Sequence, residues 1–146
     1  MIDAKELMIG NLVTVDNPKY HPKLKDVVLM VTAIKPAWNI ITKKEDYSIS
    51  LVYPNQEPNT YYDSYSQFIK YIKPIKLDEE LYLKMGFVWK NGMLRKGNIR
   101  VLEIQEPFGG GYEVFADNMH LNHIKKCHQL QNFYLTSTNE KLKIEL

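Results

Sequence analysis

Four side chains with metal-binding chemistry crowd into nine positions near the end of the chain. They are His120, His123, Cys127 and His128, in the order H-x2-H-x3-C-H. Zinc accepts imidazole and thiolate ligands tetrahedrally, so the residue types suit a metal. A helix over 123–128 would put His123 and Cys127 on one face at i, i+4. No second pair elsewhere has a zinc-like spacing, and Cys127 falls on an apolar stripe, where a free thiol acts as a small hydrophobe. An ordinary strand-to-helix junction is the stronger reading, and no cofactor is expected.

Two further groups offer binding chemistry. On a helix, His128, Gln131 and Asn132 share one side and would form a polar recognition face. The competing reading has His128 and Asn132 bonding the protein's own strands, which fixes the helix in place. The second group is Tyr53, Tyr61, Tyr62, Tyr65 and Tyr71 with Phe68, interleaved with Lys70, Lys73 and Lys76. Such rings can stack bases while the lysines meet phosphates. Tyrosines equally suit a protein interface. The candidate binding residues are therefore Tyr61, Tyr62, Tyr65, Lys70, Lys73, His128, Gln131 and Asn132.

Catalytic patterns are missing from the sequence. No serine, aspartate or second cysteine stands at a spacing that makes His128 a catalytic base. The run Gly109-Gly110-Gly111 lacks the lysine–serine/threonine ending of a phosphate loop and reads as a turn. Asp78, Glu79 and Glu80 are consecutive, so they cap a helix start and do not face one another as an acid–base pair.

The elements that carry these residues differ along the chain. Before Pro74 the pattern is short strands: Leu12–Val15, the apolar run Val27–Ile34 ending at Pro36, Asn39–Thr42, Tyr47–Tyr53 and Phe68–Ile72. Five such strands suggest a small SH3-like barrel or a strongly bent sheet. After Pro74, Asp78 is placed to cap a short helix over Glu79–Met85, with Gly86 ending it. Leu77, Leu81 and Met85 form its inward stripe. Asn91-Gly92 predicts a hairpin between Phe87–Lys90 and Met93–Lys96. Strands Ile99–Ile104 and Tyr112–Ala116 follow. Helical spacing then places Cys127, Leu130, Phe133 and Tyr134 on one side, and Leu142–Leu146 alternates like a last strand.

Punctuation supports a division. All prolines but Pro107 lie at or before position 74, and all glycines but Gly10 come after position 85. The expected organisation is a strand-rich module over 1–75 and an α+β module over 76–146, packed as one compact body. The junction Lys73-Pro74-Ile75 lacks flexible-linker composition.

Composition bounds the rest. The chain has 146 residues, 45% hydrophobic and 25% charged, with a net charge of +2. It is too apolar and too weakly charged to be wholly disordered. One cysteine forms no internal disulfide, and no apolar run reaches the roughly 18 residues of a membrane span. The balanced charge argues against a protein held mainly by phosphate contacts. The N-terminus lacks a signal-peptide pattern, so a cytoplasmic location with no membrane partner is expected.

Three blocks resemble a family of short proteins from prophages and mobile elements of gut anaerobic bacteria. They are Ile9-Gly10-Asn11-Leu12-Val13, the stretch Ile72-Lys73-Pro74-Ile75-Lys76-Leu77-Asp78-Glu79-Glu80-Leu81, and His128-Gln129-Leu130-Gln131-Asn132-Phe133-Tyr134. The resemblance implies a genomic setting and a shared fold, and brings no activity or catalytic residue. The sequence thus leads to a non-catalytic, phage-related accessory protein acting through a protein-binding or self-association surface. The alternative is a nucleic-acid-binding module using the tyrosines and lysines of the first part.

Overall fold

Strand composition and turn chemistry set the first unit. In the computed structural model, which describes residues 1–54, 64–117 and 119–145, the fold is α+β, with two antiparallel five-stranded sheets and two helices. The chain divides into two compact units, Met1–Ile75 and Lys76–Leu146.

The first unit contains β1 (Leu12–Val15), β2 (Leu29–Asn39), β3 (Lys44–Val52), β4 (Ser64–Phe68) and β5 (Ile72–Pro74), in the order β4-β3-β2-β1-β5. A 3-10 turn over Ile69–Tyr71 feeds β5. Alternation along β3 works as the sequence predicts: Ile49 and Leu51 point inward and meet Val13, Val15, Leu29, Val31 and Ile72 in one apolar core. Each such side chain contributes roughly 1.5–3 kcal/mol on burial.

Three local expectations are corrected here. β2 does not stop at Pro36 but runs to Asn39, with Pro36 opposite Tyr47. β1 pairs only with Leu29 and Met30 of β2, and Gly10 and Asn11 bond Val31, so beyond Val31 that side of β2 is an edge, where a missing N–H costs little. Of the expected strand Asn39–Thr42, Asn39 ends β2 and Ile40–Thr42 belong to the turn that joins β2 to β3. The Asn39 side-chain oxygen accepts from the backbone N–H groups of Ile41 (3.1 Å) and Thr42 (3.2 Å), and Lys43 closes the turn at φ +52°. The stretch Phe68–Ile72 is split by the 3-10 turn into the end of β4 and the start of β5.

The second unit starts with α1 (Glu79–Lys84). Asp78 accepts from the Leu81 N–H at 2.8 Å and caps it, and Gly86 leaves it at φ +86°. Lys96 donates to the Met85 carbonyl at 2.6 Å, a cation at the helix's negative end. Leu77 and Met85 are buried, as is Tyr82, which the stripe omitted; Leu81 is half-buried.

A five-stranded meander follows: β6 (Val88–Lys90), β7 (Met93–Lys96), β8 (Ile99–Glu103), β9 (Tyr112–Phe115) and β10 (His120–Ile124). Asn91 and Gly92, at φ +54° and +77°, form the predicted two-residue turn. α2 (Cys127–Thr138) then buries Cys127, Leu130, Phe133 and Tyr134 as its spacing requires. Its start is held by the Gln129 side-chain oxygen, which accepts from the N–H groups of Lys125 and Lys126, both at 3.2 Å. Residues 141–145 are not a strand. Leu142 is buried, and the Glu145 N–H donates to the Lys84 carbonyl at the end of α1. No helix among the described residues is long and apolar enough to cross a membrane.

Candidate functional site

A groove of about 310 Å³ opens on the first unit. The β1–β2 connection supplies Asn17, Tyr20 and His21. β4 supplies Gln67 and Phe68, and the 3-10 turn supplies Lys70 and Tyr71. Asn39 and Ile41, from the β2–β3 turn, form its far end. Backbone bonds set these walls: Tyr20 and His21 both donate to the Asn17 carbonyl, and Asp16 donates to the Tyr71 carbonyl.

The floor is polar and enclosed. Asn17 and Gln67 are buried, and the Asn17 side-chain amide donates to the Gln67 oxygen at 2.8 Å. Gln67 is 4% exposed, and its Nε2 has no hydrogen-bond partner among the described residues. Leaving such a donor unmet costs roughly 1–3 kcal/mol. Ile41, 79% exposed, is the aliphatic residue of the lining; Trp38 and Ile40, 62% and 81% exposed, flank the same turn outside the lining. The Lys70 ammonium lies 4.8 Å from the Tyr71 ring centre, and that of Lys19 lies 5.1 Å from the Tyr20 ring centre. Among the described lining residues, Lys70 carries the only permanent charge.

The structure brings only part of the predicted aromatic set here. Lys70, Tyr71 and Phe68 line the groove. Tyr65 packs edge-on against His21 and Tyr53, each at 6.0 Å between ring centres, and rests against the core. Lys73 sits on β5 opposite Thr14. Tyr61 and Tyr62 lie outside the described residues.

The histidine–cysteine group is not assembled as a helical face. Residues 120–124 form β10, so the i, i+4 relation of His123 and Cys127 does not arise. His120 stacks on Phe115 at 4.5 Å, with its Nε2 2.7 Å from a Glu113 carboxylate oxygen. His123 sits at a bulge with φ +56°, its Nδ1 3.1 Å from the Gly110 carbonyl oxygen. Cys127 is buried, and its thiol donates to the Gln131 oxygen at 3.7 Å. Burial pushes that thiol up to about 12, so it is protonated at neutral pH. Among the described residues, no three His, Cys, Asp or Glu side chains stand together as a metal would need.

The polar face on α2 is also rearranged. His128 and Gln131 are buried and Asn132 is half-buried, so the three do not form an outward surface. Sequence reasoning missed Asn17, Tyr20, His21, Ile41 and Gln67. The bond between Asn17 and Gln67 joins positions fifty residues apart, which no local pattern reveals. The nearest available signal was Trp38-Asn39-Ile40-Ile41, where apolar residues surround a turn-forming asparagine.

No family model, curated protein or solved structure matches this chain.

Proposed function

We propose that the chain is a non-catalytic accessory protein that binds a protein partner, taking an extended peptide segment in the groove of its first unit. The observation that carries this reading is the aromatic wall of the groove, where Tyr20, Phe68 and Tyr71 stand around the buried Asn17–Gln67 pair. An extended peptide supplies side chains for those rings and for Ile41. The cation at Lys70 favours a segment carrying a carboxylate.

Fold analogy adds a little. The order β4-β3-β2-β1-β5 and the 3-10 turn before β5 support reading the first unit as SH3-like, and the label alone carries no function. The phage-related setting rests on the sequence resemblance, and a cytoplasmic one on the free thiol of Cys127. Lys70 and Lys19 lie against the rings of Tyr71 and Tyr20, where stacked bases would need room. That arrangement favours a protein over a nucleic acid.

The test is selection of a displayed random-peptide library on the intact chain, with a single-stranded oligonucleotide as the competing probe. Peptides with a shared acidic and apolar pattern, weakened by Tyr20→Ala and by Tyr71→Ala, support the reading. Recovery of no peptide, or salt-sensitive binding of the oligonucleotide alone, rejects it.

A further inference from the structure

A second cleft, of about 420 Å³, lies within the second unit and has a different chemistry. Its charged walls are Lys76 and Asp78 before α1, Glu103 at the end of β8, Glu106 in the connection to β9, and Lys125 and Lys126 before α2. Tyr112, at the start of β9, lies between them in sequence and also lines the cleft.

The backbone sorts these charges. Lys76 and Lys126 are direct partners in an isolated antiparallel bridge, and the Leu77 N–H donates to the Lys125 carbonyl at 2.9 Å. Directly opposed residues hold their side chains on one face, roughly 5 Å apart at Cβ, and like charges there repel. Among the described residues, none of these three lysines has a carboxylate within 4.0 Å. Gly111 lets Lys125 lie close: a Cβ there would stand 2.9 Å from the Lys125 Cγ and 3.0 Å from the Ile124 carbonyl oxygen.

Asp78 and Glu103 line the cleft together with Tyr112. Burial raises the Tyr112 hydroxyl above its ordinary range, and the charges of Glu103, Asp78 and Glu79 raise it further. The Tyr82 ring meets Tyr112 edge-on at 4.8 Å, and the Tyr82 hydroxyl is buried without a hydrogen-bond partner among the described residues.

We propose that this cleft binds a small zwitterion of the amino-acid or short-peptide class. Its carboxylate lies between Lys76 and Lys126, and its ammonium lies against Glu103, Asp78 and the Tyr112 ring. An ammonium gains from carboxylates and from an aromatic face together. A dianion such as phosphate would meet Glu103 and Asp78, and a diamine would meet the lysine pair. Only a ligand with both charges, set apart, satisfies both walls.

The probe is diglycine, followed by amide nitrogen–proton correlation spectra of the intact chain. Inorganic phosphate and diaminoethane, each carrying charge of one sign alone, serve as comparisons. Diglycine should give saturable shifts at Lys76, Tyr112 and Lys126. Lys126→Met and Glu103→Gln should each weaken it about tenfold or more, the loss of one charge-assisted hydrogen bond. Lys76→Met replaces Lys126→Met if the latter disturbs the start of α2. Absent saturable shifts, binding of phosphate or diaminoethane as tight as that of diglycine, or variants that bind like the parent would overturn the proposal.

Discussion

The Asn17 side-chain amide donates to the Gln67 oxygen at 2.8 Å, tying the β1–β2 connection to β4 under the groove. Asn17→Ala leaves that oxygen buried and unmet as well as Nε2, and should cost about 1–3 kcal/mol. Adding Gln67→Leu removes both stranded atoms. The double variant should therefore lose less than the sum of the two single losses. Urea unfolding of the four proteins measures this coupling, and strict additivity would contradict it.

The exposed Ile41 should matter for binding and not for folding. It lines the groove, and exposed positions change stability by only about 0.5 kcal/mol. Ile41→Ser should leave the melting temperature nearly unchanged and weaken a selected peptide by about fivefold, roughly 1 kcal/mol. A large drop in melting temperature would place this side chain in the folding core instead.

Alkaline pH should reveal the enclosed thiol. Cys127 is pushed up to about 12 in the native state, whereas an unfolded thiol ionises from about pH 8.5. Its effect is absent below that pH, where both states hold the proton. Above it the unfolded state alone releases the proton, so stability falls by up to about 1.4 kcal/mol per pH unit towards pH 12. Tyr82, also raised by burial, acts in the same direction above about pH 10. Cys127→Ala should delay the loss to about pH 10, seen in urea midpoints across that range. Matching pH profiles for the parent and Cys127→Ala would contradict the buried-thiol account.

Two glycines with similar backbones should respond differently to alanine. Gly92 has φ +77° with nothing within 4 Å of a new Cβ, so Gly92→Ala pays backbone strain alone, about 1–2 kcal/mol. Gly111, at φ +78°, adds the close approach to Lys125 and to the Ile124 carbonyl oxygen. Gly111→Ala should therefore be the more destabilising in thermal melts. Equal losses would show that the loop between β8 and β9 yields freely.

Elements with local causes were legible from the residues. Asp78, the Asn91-Gly92 turn and the alternation along β3 each act through neighbours in sequence, and each appears as expected. Elements decided by distant partners were not. Pro36 stays in β2 because β1 is too short to reach it, a fact of pairing and not of composition. β10 was hidden because polar His120 and Asn122 looked like a junction, while its pairing with β9 sets the conformation. The groove was the least legible feature. Only Lys70, Tyr71 and Phe68 came from the aromatic pattern, and its floor depends on the long-range Asn17–Gln67 bond.

The central claim is that the first unit takes a peptide at the Gln67 groove. The most direct measurement is a titration of the intact chain with a library-selected peptide, followed by nitrogen–proton correlation. The Tyr20, Phe68 and Tyr71 backbone amides should shift together and saturably as the peptide covers the groove. Tyr71→Ala should weaken binding about tenfold, about 1.4 kcal/mol. A peptide that binds while these amides stay unmoved, or that binds Tyr71→Ala as tightly as the parent, would contradict the account.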